Sequence, residues 1–178
     1  MKGVDMNMSV APQTATSVLA LMITGAQGIG KSGAALGLNG QPGLLHHGHG
    51  YVTVFFSPDN AKSAEAYADY KANRPKDAPS PEPYLVRGRS ACDPESGERM
   101  CQVHELAEAA ARQGINVRKV LCSRCPFAES CRYLKQEGAL EKAGESEKGV
   151  VIFVPHDYAY IALQGHLRPA REIIDERP

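Results

Sequence analysis

Three uninterrupted apolar runs organise the chain: Val18-Leu19-Ala20-Leu21-Met22-Ile23, Tyr51-Val52-Thr53-Val54-Phe55-Phe56 and Val150-Val151-Ile152-Phe153-Val154. Each is short, rich in β-branched or aromatic residues, and free of polar alternation. That pattern predicts strands buried on both faces. Helical patterning lies between them. A helix is expected from about Lys31 to Leu38, weakened by Gly33 and Gly37. A second runs from an Asp59 or Asn60 cap to about Tyr70, with Ala64, Tyr67 and Ala68 on one face. An alanine-rich third spans roughly Gln102 to Gln113 and ends at Gly114. A last one covers about Asp157 to Leu163. Tyr84-Leu85-Val86 reads as a short strand after a proline-rich loop (Pro75, Pro79, Pro81, Pro83), and 137–148 as a charged, glycine-punctuated linker. Strands alternating with helices predict an α/β fold with a parallel sheet covered on both faces.

Chemistry enters at the first strand's end. Gly25-Ala26-Gln27-Gly28-Ile29-Gly30-Lys31-Ser32 is a complete phosphate-binding loop, placed between a buried strand and a helix. There, backbone N–H groups and the helix N-terminus face a triphosphate. Lys31 is expected on the β- and γ-phosphates and Ser32 on Mg²⁺. The ligand is then ATP or GTP. Far downstream, Ile173-Ile174-Asp175-Glu176 has the form of the acidic strand end that completes such a site. Asp175 is expected to hold Mg²⁺ and Glu176 to polarise the attacking water.

Composition narrows the class without deciding it. The 178 residues are 43% hydrophobic and 22% charged, with 20 basic against 20 acidic residues, so net charge argues neither for nor against nucleic acid. No apolar run is long enough for a membrane span, and no secretion signal is visible before Ala15. Five cysteines without an export signal point to a reducing, cytoplasmic compartment, where ligation is favoured over disulfides.

Those cysteines stand at 92, 101, 122, 125 and 131. Cys122, Cys125 and Cys131 form a C-x2-C-x5-C arrangement able to converge on one centre, with Pro126 assisting the turn. Cys101 is the nearer candidate for fourth ligand, Cys92 the spare, and His104 a competitor one turn from Cys101. A single C-x2-C knuckle with uneven spacing fits a [4Fe–4S] cluster better than zinc, which stays the alternative beside unligated core cysteines. Arg87, Arg89, Arg112, Arg118, Lys119, Arg124, Arg132 and Lys135 offer a track for a phosphodiester backbone, set against acids that include Asp93, Glu98 and Glu129. His46, His47 and His49 read as an exposed glycine-rich loop, not a metal site.

A phosphate loop, then a four-cysteine insertion, then an Asp-Glu strand end preceded by Val150-Val151-Ile152-Phe153-Val154-Pro155-His156-Asp157-Tyr158 resembles, over about residues 17–178, the first motor domain of superfamily 2 helicases of the iron–sulfur XPD/DinG type. Ser57-Pro58 falls where that family has its first DNA-contacting turn. The resemblance implies a RecA-like P-loop NTPase sheet carried by 17–86 and 149–178, a flexible 1–16, and a helical cluster module inserted at 87–136. It further implies ATP and Mg²⁺ bound through Gly25, Gln27, Gly28, Gly30, Lys31, Ser32 and Asp175, with Lys31 and Glu176 catalytic. The cluster would sit on Cys101, Cys122, Cys125 and Cys131, and the partner would be single-stranded DNA. The box departs from the family, reading Asp175-Glu176-Arg177-Pro178 without the usual Ala and His. A second motor domain is expected beyond these residues, so unwinding is not expected of them alone. Two other readings compete: a zinc-binding DNA or protein interaction module that keeps a nucleotide site, and a P-loop ATPase of another branch.

Overall fold

The computed structural model describes residues 33, 52–74, 81–145, 149–160, 169 and 171–175. The element order is β1 (Val52–Ser57), α1 (Asn60–Asn73), β2 (Glu82–Leu85), α2 (His104–Arg112), α3 (Val117–Val120), a 3-10 turn (Cys122–Arg124), α4 (Arg132–Gly144), β3 (Val150–Pro155), a second 3-10 turn (His156–Tyr160) and β4 (Arg171–Ile174). The four strands form one sheet in the order β2-β3-β1-β4, and all three pairings are parallel. Val52 pairs with Val150 and Phe56 with Val154 on one side of β1, while Phe56 pairs with Ile174 on the other. Every residue of β1 and β3 is buried, as their unbroken apolar runs require.

Strand alternation sends side chains to two separate cores. Val52, Val54, Phe56, Val150, Ile152 and Val154 pack with Val86 and with Leu140 and Ala143 of α4. Phe55, Val151 and Phe153 face the other way and pack with Tyr70, flanked by Ala66, Tyr67, Leu85 and Ile173. Phe153 is the hub of that second core, its ring centroid 5.5 Å from Phe55, 5.8 Å from Tyr70 and 6.0 Å, edge-on, from Tyr67. Helix α1 starts where a cap residue stands: Asp59 accepts a hydrogen bond from the Lys62 amide at 2.8 Å. Near its other end, the buried Tyr70 hydroxyl donates to the Pro81 carbonyl at 3.2 Å, fixing the return to β2.

Two expectations change. The linker expected at 137–148 is helical through Gly144, because α4 buries Leu140 and Ala143 against the sheet. Two glycines and seven charged residues between 135 and 148 concealed that narrow apolar contact. Gly138 costs the helix intrinsic stability but sits in open space, so it does not interrupt packing. The short strand begins at Glu82 and includes Pro83, which was expected in the loop. As the outer strand of the described sheet, β2 tolerates a residue without an N–H. The helix expected from Asp157 is, through Tyr160, a 3-10 turn. The phosphate loop (25–32), its preceding strand, the 46–49 histidines and Glu176 lie outside the described residues.

Candidate functional site

Helix α4 links two places of chemical interest. One is the carboxyl edge of the sheet, where ligands of open parallel α/β folds bind. β1 ends there at Ser57, β3 at Pro155 in register with it, and β4 at Ile174. Asp175 continues β4, and its amide donates to the Phe56 carbonyl at 2.9 Å, so this carboxylate residue is held beside the end of β1. The Oγ of Ser57 and the Nε2 of His156 are both buried here without a hydrogen-bond partner. Such groups are uncommon in folded proteins and attract water, ions or ligands.

The other place is a small apolar-walled pocket bordered by Cys101, Cys122, Cys125 and Cys131 together with Arg89 and Leu134. The hairpin-like loop 89–101 decides which of the first two cysteines reaches it. Asp93 accepts from the Glu95 and Ser96 amides at 3.0 and 2.9 Å, and Gly97 takes the left-handed conformation (φ 72°) that closes the turn. The Met100 amide then bonds to the Ala91 carbonyl (2.8 Å) and the Cys101 amide to the Arg89 carbonyl (3.0 Å). Cys92 is left exposed on the outer part of that loop, while Cys101 is buried. Gly114, also left-handed (φ 73°), ends the alanine-rich helix as expected. Asn116 caps α3 by accepting from the Lys119 amide at 3.0 Å, and α3 runs directly into the 3-10 turn bearing Cys122. Cys131 is the N-cap of α4.

Electrostatics in the pocket centre on Arg89. Its guanidinium donates to the Cys122 sulfur at 3.6 Å and lies 4.0 Å from the centre of the Tyr133 ring. Burial alone would lower the basicity of Arg89; Tyr133, Cys122 and Cys101 outweigh it and keep the charge firmly in place. Burial pushes the Cys101 thiol up, and the neighbouring Cys131 adds to this, whereas the Val103 amide and Arg89 pull it down. A negatively charged centre bound to these sulfurs would thus meet a fixed positive charge. Among the described residues, no three or more His, Cys, Asp or Glu side chains converge as tightly as one bound metal ion needs. The four thiols border a pocket instead of meeting at a point. His104 does not border that pocket, although its Nδ1 is buried without a partner.

The expected basic track is partly committed elsewhere. Arg118 pairs with Glu137, Arg132 with Glu98 at 2.7 Å, and Arg89 serves the sulfurs. Sequence reasoning gave Arg89 no role beyond that track, and it gave Tyr133 none. Their position is set by long-range packing that no local motif encodes. Among the described residues, no helix is long and apolar enough to cross a membrane. Comparison with protein-family models, curated proteins and solved structures returns no match for this chain.

Proposed function

We propose that this chain is the nucleotide-binding part of an ATP-dependent motor acting on DNA, with a [4Fe–4S] cluster held by Cys101, Cys122, Cys125 and Cys131. The observation that carries the reading is the gathering of those four thiols, and not Cys92, around one pocket attached to a parallel sheet. The sheet ends in Asp175, and the sequence carries a complete phosphate loop. Thiolates arranged around a space suit a multinuclear cluster better than one zinc ion. In this reading the backbone N–H groups at Gly28 and Gly30 wrap the phosphates and Lys31 neutralises their oxygens. Ser32 and Asp175 hold Mg²⁺, and Glu176 orients the attacking water. The cluster, when bound, supplies a rigid crosslink among four points of the chain. Movement on DNA belongs to a complete motor in which a second domain closes over the nucleotide.

The test has two arms. Anaerobically prepared protein is expected to be brown and to hold about four iron and four sulfide per chain. A colourless protein with one zinc overturns the cluster in favour of a zinc-binding interaction module. Mg-ATP binding, lost in Lys31→Ala, supports the nucleotide site. In a version joined to a second motor domain, hydrolysis indifferent to DNA counts against the helicase reading and for a P-loop ATPase of another branch.

A further inference from the structure

Ser57 closes β1 with only 1% of its surface exposed, and its Oγ has no hydrogen-bond partner among the described residues. A serine between a strand and a helix ordinarily serves the turn, by capping or by bonding a nearby backbone group. Here the neighbouring groups are committed elsewhere. Pro58 has no N–H to offer, and Asp59 caps α1 by accepting from the Lys62 amide. The Asp59 carbonyl accepts from the Ser63 amide at 3.0 Å and from the Ser63 Oγ at 3.1 Å. A hydroxyl shielded from bulk solvent and passed over by its own turn calls for a partner from outside the fold.

The register shows what stands beside it. Phe56 pairs with Ile174, and the Asp175 amide donates to the Phe56 carbonyl, the bond that in a parallel ladder sets Asp175 opposite Ser57. Phe55 and Ile173 lie together in the core on the α1 side of the sheet. Two residues further along each strand, alternation returns Ser57 and Asp175 to that same side, on backbones about 4.8 Å apart. We propose that Ser57 is a positioning residue for the divalent cation assigned to Asp175, its hydroxyl accepting a hydrogen bond from a water in the cation's shell. The inference rests on the nucleotide reading. Mg²⁺ gives up its waters reluctantly, so a site with few protein ligands holds the metal partly through them. Those waters are polarised donors, and the serine oxygen has lone pairs to accept them. The narrow access to Ser57 suits a water better than the phosphate of a polymer. Asp175 then supplies the charge that binds the metal, and Ser57 fixes one of its waters.

The experiment is calorimetric titration of the chain with ATP, once in Mg²⁺ and once in excess EDTA. The readout is the factor by which Mg²⁺ tightens binding. In Ser57→Ala that factor is expected to fall about tenfold, the low end for a hydrogen bond involving a charged group. Removing a hydroxyl that the fold does not use should leave the metal-free protein no less stable to urea. Asp175→Asn is expected to abolish the tightening. A Ser57→Ala protein that keeps the wild-type factor overturns the inference, while loss of the tightening in Asp175→Asn leaves the nucleotide reading standing. The inference also falls if Ser57→Ala weakens binding equally with and without Mg²⁺, or unfolds more easily without metal. Either result marks a hydroxyl that serves the fold itself. A wild-type chain that binds no ATP, or binds it equally well in EDTA, overturns the nucleotide reading and the inference with it.

Discussion

Replacing Arg89 by Gln removes the one positive charge that, among the described residues, borders the thiol pocket, while leaving the hairpin that presents Cys101 intact. The side chain makes two separable interactions: a hydrogen bond to the Cys122 sulfur at 3.6 Å and a cation–π contact at 4.0 Å with Tyr133. A hydrogen bond from a charged group contributes about 1.5–3 kcal/mol, and a partly desolvated cation–π contact about 0.5–2 kcal/mol. The sulfur contact is long and Arg89 is only half-buried, so the low end of each range applies, roughly 2 kcal/mol together. If that difference favours the loaded protein, iron should be lost to an excess chelator about 30 times faster in Arg89→Gln. Bleaching of the visible absorption under anaerobic conditions measures it. Arg89→Lys keeps the charge but loses planar stacking and the donor fork, so it should fall between the two. Equal bleaching rates for wild type and Arg89→Gln would refute the assignment of Arg89 as the counter-charge of the centre.

Other perturbations follow from the same contacts. Cys101→Ser, Cys122→Ser, Cys125→Ser or Cys131→Ser should each abolish the visible chromophore, whereas Cys92→Ser should leave iron content unchanged. Phe153→Ala, which empties the hub of the α1-side core, should cost about 3–5 kcal/mol in denaturant unfolding. A loss below about 1 kcal/mol would mean that core is not packed as described. Tyr70 sets an alkaline limit: burial, helped by Glu82 and opposed by Arg74, pushes its hydroxyl up to about 12. Because the folded value lies above the unfolded value of about 10, this contribution is complete below pH ~10 and disappears as pH rises towards ~12, a change of about 3 kcal/mol. Urea titrations across that window should show a shallower fall for Tyr70→Phe, with Tyr158 and Tyr133, both also raised by burial, contributing to what remains.

The central strands were legible because β1 and β3 are buried on both faces and so carry no alternation to obscure them. Asp59 announced α1 through its cap, and Gly114 announced the end of the alanine-rich helix. Helix α4 was hidden since only a narrow stripe, with Leu140 and Ala143 its buried members, meets the sheet. The C-x2-C-x5-C spacing brought three thiols together in sequence, and Cys122, Cys125 and Cys131 all border one pocket. Spacing alone did not decide between Cys92 and Cys101. That choice is made by backbone hydrogen bonds across the loop closed at Gly97. Arg89 and Tyr133 were invisible as a pair because 44 positions of chain separate a stacking that only the folded layer creates.

The pairing of Val52 with Val150 places the entire cysteine layer inside the stretch that must be closed before the two innermost strands can meet. Contacts so remote in sequence make for slow assembly. The helices from His104 to Gly144 are local by comparison and are expected to form ahead of the sheet they cover. Newly made chains would therefore organise their thiol-bearing layer early and complete the sheet around it.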